Sequence, residues 1–297
     1  MADLSYNLSS SLVESLQRIE NLRQKILLTP LSLKVELRLR FEAMINRVYW
    51  SLTLSDNPLT KAEMVKLLTS DQSKKSLTQD QQEVLNYKKA LDYISQNWLV
   101  SPDRVTPKVV TTLHGLACSG RLRGSEAELK QVLDYLQASS ENPVVQAGVA
   151  QITAGNDCTA RLLALLFLYK AGFDFRGLLV LEEYFRRDLV SFQQKTNLTL
   201  WLEYFAKGVA TQLEKALEDI ALSRSKTDLP ASFWNLKDRQ KEILTIMGQP
   251  GITITNKKVQ KQFRVSQITA SRDLSRLAQL GLIFARGKGR SIYYTKV

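Results

Sequence analysis

Apolar residues recur every three or four positions along the first two-thirds of the chain, the spacing that gathers them on one face of a helix. Leu8, Leu12, Ser15, Ile19, Leu22 and Ile26 mark the first stripe, with Ser15 its one polar member. Thr29-Pro30 ends it, because a residue before proline is steered out of the helical region. A second helix is expected over about 32–51. Thr60 reads as the N-cap of a short helix to about Leu68, and Thr78 as the cap of another in which Leu85, Ala90, Leu91 and Ile94 are apolar. Thr106-Pro107 sets a capping hydroxyl before a proline at the first helical position, where no N–H donor is needed. Further helices are expected at about 125–138, 143–151, 159–171, 176–194 and 197–222.

The period is lost over 221–232 (ALSRSKTDLPAS), a linker by its Ser, Thr, Asp and Pro content. Beyond it the pattern changes. Lys237–Met247 reads as a helix with Ile243, Leu244 and Met247 inward, and Thr253–Thr255 as a short β-like piece. Thr255 caps a second helix, Asn256–Phe263, and Ser266 caps a third, Gln267–Leu280. Ile268, Leu274, Leu277 and Leu280 are assigned to the inner face of that third helix, and Gly281 stops it. Ile283–Ala285 and Ser291–Thr295 are β-prone runs around the basic, Gly-rich tip Arg286-Gly-Lys-Gly-Arg290, a hairpin. The expected fold is mainly α: a helical domain over 1–220 whose first 50 residues are an N-terminal extension, the linker 221–232, and a small winged helix-turn-helix domain over 233–297, three helices plus a β-hairpin.

Charge sharpens that division. The chain of 297 residues carries a net +12. Residues 233–297 hold thirteen basic against three acidic side chains, so nearly all of the excess lies in the last 65 residues. A basic excess concentrated in one small domain points to an acidic partner, and the helix-helix-hairpin layout makes that partner double-stranded DNA. The third helix would enter the major groove with Gln267, Thr269, Ala270, Arg272 and Asp273 facing outward and Arg276 one turn on. Gln267 and Arg272 suit base edges, whereas Ser266, Thr269 and Ser271 suit phosphate. Lys257, Lys258 and Lys261 on the second helix, and Arg286, Lys288 and Arg290 on the hairpin, are placed to meet the backbone or an adjacent minor groove. The other use of such a domain is protein contact alone, with a solvated basic face. The run from Val265 to Leu277, VSQITASRDLSRL, followed by Leu280-Gly-Leu-Ile, resembles the recognition-helix pattern of DeoR-like winged-helix regulators.

The rest of the composition narrows the classes. No stretch is long and apolar enough for a membrane span, and Met1-Ala-Asp-Leu-Ser has neither a basic nor an apolar signal region. Cys118 and Cys158 are too few for a disulfide framework and are read as reduced thiols of a cytoplasmic chain, nucleoid-associated if prokaryotic. One histidine, His114, and no cysteine cluster leave no metal site. His114 is expected as a packed or partly exposed residue of an early helix.

Gly155-Asn-Asp-Cys-Thr-Ala-Arg161 with the apolar helix that follows, and Phe173-Asp-Phe-Arg through Tyr184-Phe185, resemble the Fic (Fido) family. EVLNYKKAL (83–91) and Leu113-His-Gly-Leu fit the helices that precede its active site. The resemblance implies a helical fold over most of 33–220 and transfer of AMP from ATP to a protein hydroxyl. The family signature is H-x-F-x-(D/E)-G-N-G-R-x-x-R. Its His is the general base, its acid holds the metal, and its Gly-Asn-Gly turn and arginines hold the phosphates at a helix N-terminus. Gly155, Asn156 and Arg161 match as residual nucleotide positions, whereas Asp157 and Cys158 replace the second Gly and the first Arg. Without a gap, Ala150, Ile152 and Ala154 stand at the base, the aromatic and the acid; with one, the loop that carries them is deleted. Ser51 matches the start of the family's inhibitory motif, and Ser55 replaces its Glu. Residues 118–125 are too few for the family's target flap.

Three readings follow. The leading one is a DNA-binding transcription regulator without catalytic residues, metal or cofactor, its helical body serving dimerisation or a protein partner. The second is a Fic-type adenylyltransferase with an atypical base, the one case that brings in ATP. The third is a nucleotide sensor coupled to the DNA-binding domain.

Overall fold

The computed structural model describes residues 5–69, 76–118, 122, 125–138, 140–155, 157–185, 197–222, 236–248, 252–280, 282–287 and 292–296. Two compact units are present, Met1–Leu229 and Pro230–Val297.

The described part of the first unit is helical: α1 Ser10–Leu28, α2 Leu33–Thr53, α3 Lys61–Thr69, α4 Gln79–Asn97, α5 Pro107–Ala117, α6 Glu126–Ala138, α7 Pro143–Thr153, α8 Cys158–Lys170, α9 Leu181–Phe185 and α10 Thr199–Ala221. Local chemistry sets most of the starts. Ser9 and Ser32 accept from Leu12 N at 3.2 Å and Val35 N at 3.4 Å. Thr78 and Gln81 form a reciprocal capping box at α4, and Asn142 caps α7 ahead of Pro143. Leu8 lies outside α1 and is 64% exposed, so the buried stripe of α1 begins at Leu12.

α8 is the centre of this unit. Every residue from Thr159 to Tyr169 is buried, as in a helix enclosed on all sides. α4, α5 and α7 pack on it. α7 in turn meets α10 at Gly148, where an added Cβ would stand 2.8 Å from Leu202 Cδ2, and Trp201 Nε1 donates to the Gly148 carbonyl at 2.7 Å. α1 lies along α10, joined by Arg18 to Glu214 and by Ser9 Oγ to Glu203. Leu165→Ala is expected to cost about 2–5 kcal/mol in urea unfolding, the range for truncating a core leucine. A loss below about 1 kcal/mol would mean that α8 is not the centre.

The helix expected over 176–194 starts late. Phe175, Arg176 and Gly177 have φ of +47°, +56° and +74°, and left-handed backbone cannot continue into a helix. This turn is fixed by Arg176, whose guanidinium donates to Ile26 O at 3.2 Å, Thr29 O at 2.7 Å and Glu36 at 2.9 Å. Helical geometry resumes at Leu181, and the rest of that expected helix, beyond Phe185, lies outside the described residues.

The second unit has α11 Asp238–Ile246, β1 Thr253–Ile254, α12 Asn256–Phe263, α13 Gln267–Gln279, β2 Ile283–Arg286 and β3 Tyr293–Lys296. The sheet order is β1-β3-β2, all antiparallel, and β2 and β3 form the expected hairpin with Phe284 opposite Thr295. Arg264, left-handed at φ +49°, turns the chain from α12 into α13. Ile243, Ile254, Val259, Ala270, Leu274, Leu277 and Ile283 are all 0% exposed and make the core.

Three residues of α13 face the opposite way from the expectation. Ile268, expected inward, is 65% exposed; Ala270 and Asp273, expected outward, are 0% and 3% exposed. The reason is angular: six residues from Ile268 to Leu274 turn an α-helix by about 240°, so these two cannot share a face. The inner line runs through Ala270, Asp273, Leu274 and Leu277.

Candidate functional site

In the helical unit, chemistry-bearing residues gather at the N-terminus of α8. α7 ends at Thr153 and α8 begins at Cys158, so only four residues separate the helices. Ala150 and Ile152 are inside α7 at 0% and 4% exposure, and Ala154 is its C-cap. Gly155 takes φ +96°, which a side chain would strain. Asn156 lies outside the described residues. Asp157 is the N-cap of α8, its Oδ1 accepting from Ala160 N at 3.0 Å. A carboxylate there satisfies the helix-end donors and complements the positive end of the dipole.

Arg161, in the first turn of α8, is 5% exposed. Its Nε donates to Ser51 Oγ at 3.0 Å, and its Nη2 donates to Ser51 O and Ser55 Oγ, each at 3.0 Å. The two serines that the sequence comparison set against the inhibitory motif are thus the residues that hold Arg161. Arg161, Arg47, Gln151 and Glu182 line a cavity of about 10 Å³, room for one water at most. Burial pushes the Glu182 carboxyl above its ordinary range, opposed first by the nearby Arg47 charge and then, more weakly, by Arg161.

His114 is half-buried, with Nδ1 2.8 Å from Thr159 Oγ1. Thr159 Oγ1 also reaches Cys118 Sγ at 3.4 Å. Cys118 and Cys158 are joined in a disulfide, with Cα atoms 5.9 Å apart. This overturns the expectation of two reduced thiols. Two cysteines make no framework, but α5 packs on α8 and brings the C-cap of one helix to the first residue of the other. A sequence separation of 40 hid that proximity. Among the described residues, no group of three His, Cys, Asp or Glu could hold a metal, and no helix is long and apolar enough to cross a membrane.

In the second unit the expected site residues fall on the exposed sides of α12 and α13 and at the end of β2. Lys257, Lys258 and Lys261 are exposed on α12. Ser266 is the N-cap of α13, accepting from Thr269 N at 3.2 Å, and Thr269 is half-buried. Gln267, Ser271 and Arg272 are exposed. Arg276 is half-buried, and burial lowers its guanidinium from the ordinary value. Arg286 is exposed, its guanidinium 5.9 Å from the centroid of the Phe284 ring. Lys288 and Arg290 lie outside the described residues.

Two supports for this face were not foreseen. Asn256 Nδ2, on α12, donates to Ser271 Oγ at 2.7 Å and to Gln267 O at 3.2 Å, holding the two helices together at the start of α13. From the other side, Asp273 accepts from Arg239 Nε at 2.5 Å and from Gln240 Nε2 at 2.9 Å, both on α11. An Asp in the middle of a helix reads as an outward residue by composition, and only the packing of α11 shows that it is an internal tie.

A solved structure of a Fic family protein from Desulfovibrio desulfuricans G20 matches with a TM-score of 0.57 at 16% identity, over 98% of this chain and 97% of that one. The fold of this chain is therefore Fic-like and mainly helical, with a small β-hairpin near its C-terminus. No family model matches the sequence, and no curated protein does.

Proposed function

We propose that this protein is a sequence-specific, DNA-binding regulator, in which a C-terminal winged helix-turn-helix reads DNA and a Fic-like helical unit has lost AMP-transfer chemistry. The observation that carries the first half is the exposed basic face of the second unit. Three lysines on α12, Gln267, Ser271 and Arg272 on α13, and Arg286 at the hairpin stand free of the core, in a segment with thirteen basic and three acidic residues. α13 is the recognition helix, its start fixed by Asn256 and its middle by Asp273. α12 and the hairpin meet phosphates.

Mobility-shift titration of the full-length protein on a duplex selected from a random pool tests this. Binding should weaken steeply with salt, the log–log slope falling by roughly 0.9 for each phosphate contact removed. Lys258→Ala should flatten that slope and weaken all duplexes alike. Arg272→Ala should instead cost about 1–3 kcal/mol on the selected site and little elsewhere. No binding to any duplex at low salt would leave the second unit as a protein-contact module.

For the second half, support comes from the α8 N-terminus. The positions expected for base and aromatic are buried within α7. Asp157 puts a carboxylate where a phosphate would need donors, and Arg161 is engaged by Ser51 and Ser55. AMP transfer from labelled ATP, with Mg²⁺ or Mn²⁺, should stay at background. Labelling that depends on Arg161 would restore the adenylyltransferase reading.

A further inference from the structure

We infer that Ile268 reads a thymine, through contact with the 5-methyl group that only this base presents in the major groove. The inference rests on the DNA-binding reading above and assigns one determinant of its specificity. Ile268 sits on the side of α13 opposite the core. Ala270, Leu274 and Leu277 on the inner line are 0% exposed, and Ile268 is 65% exposed. Nine residues from Ile268 to Leu277 turn the helix by about 180° modulo whole turns, so Ile268 stands at the middle of the outer face. Its neighbours three and four positions on are Ser271 and Arg272, both exposed, and Gln267 precedes it. It is therefore an apolar side chain in the centre of an otherwise polar face, in the first turn of the helix.

Folding gives this residue no role. A β-branched side chain is a modest helix former, and its apolar surface is left in water. Docking against a major groove would bury it. The floor of that groove is lined by hydrogen-bonding edges, and the thymine methyl is its apolar feature. The flanking Gln267 and Arg272 match the polar edges of adenine and guanine. The occupant is a duplex rather than an apolar protein surface because of what surrounds Ile268: exposed Lys257, Lys258 and Lys261 on the adjoining α12, in a segment with thirteen basic against three acidic residues.

Deoxyuridine isolates the contact, since it keeps every hydrogen-bonding group of thymidine and lacks only the methyl. The duplex selected by the full-length protein is remade with each thymidine replaced singly by deoxyuridine, and affinities are measured for the wild type, Ile268→Val and Ile268→Ala. At one position the wild type should lose about fourfold on methyl removal, the factor for one buried carbon. Ile268→Ala should show no penalty at that position, and Ile268→Val an intermediate one. All three proteins should bind a scrambled duplex equally, with the same salt slope, which establishes that the variants are folded. A pattern of deoxyuridine penalties unchanged in Ile268→Ala overturns the inference and leaves DNA binding intact. Equal affinity of wild type and Ile268→Ala for the selected duplex also overturns it, and assigns Ile268 to a protein contact. Failure of the wild type to bind any duplex removes the reading beneath it, a result distinct from both.

Discussion

Reduction of the Cys118–Cys158 bond should lower the stability of the helical unit by about 4 kcal/mol, the chain-entropy value for a loop of forty residues. The bond joins the end of α5 to the start of α8, so breaking it frees the intervening chain chiefly in the unfolded state. For a unit of this size that is a fall in Tm on the order of 10 °C. Thermal unfolding with and without dithiothreitol measures it, with alkylation and mass spectrometry to count free thiols. Cys158→Ser should reproduce the reduced value without reductant. A fully alkylated, reduced protein that melts at the oxidised temperature would show that the cross-link contributes nothing.

Arg161→Ala should cost about 3 kcal/mol. The change removes a nearly buried guanidinium that ties α8 to the end of α2, and leaves the Ser51 hydroxyl, itself 0% exposed, to find another partner. Arg161→Lys should recover little, because one ammonium cannot reproduce the forked contact to Ser51 and Ser55. The loss also depends on pH. The Glu182 carboxyl is already raised by burial, and the Arg161 charge favours its ionised form. Without Arg161 the folded-state value rises further. A carboxyl whose folded value exceeds its unfolded one stabilises below the unfolded value, and that contribution is lost as pH climbs through the folded value. The deficit of Arg161→Ala should therefore be smallest near pH 4 and larger at alkaline pH, above the raised folded-state value of Glu182. Urea unfolding at both pH values measures it; a deficit independent of pH would separate Glu182 from Arg161.

The helices were legible wherever a polar cap met an apolar period. Ser32, Thr78, Thr106 and Ser266 each stand where the sequence placed a helix start. Two kinds of feature were not. Left-handed backbone at Phe175 and Arg176 has no sequence mark, since neither residue is glycine and the turn exists because Arg176 finds carbonyls about 150 positions away. Contacts across the fold were equally hidden: the cysteine pair, the hold of Ser51 and Ser55 on Arg161, and the burial of Asp273 against α11 each need the packing to be known. Ile268 failed for a simpler reason. Apolarity alone assigned it to the core, although its angle around the helix places it with Ser271 and Arg272.

The pairing of α1 with α10 fixes an order of events during synthesis. The helix that covers Leu12, Ile19, Leu22 and Ile26 begins at Thr199, about 170 residues after α1 ends. At about 5–20 residues per second, roughly 10–35 s pass between the emergence of the two. For most of that interval, until the Phe175–Gly177 turn and then α10 follow, the apolar stripe of α1 lacks the elements that pack on it. α1 is thus made well before the helix it docks on, and its apolar stripe stays exposed on the nascent chain until α10 follows.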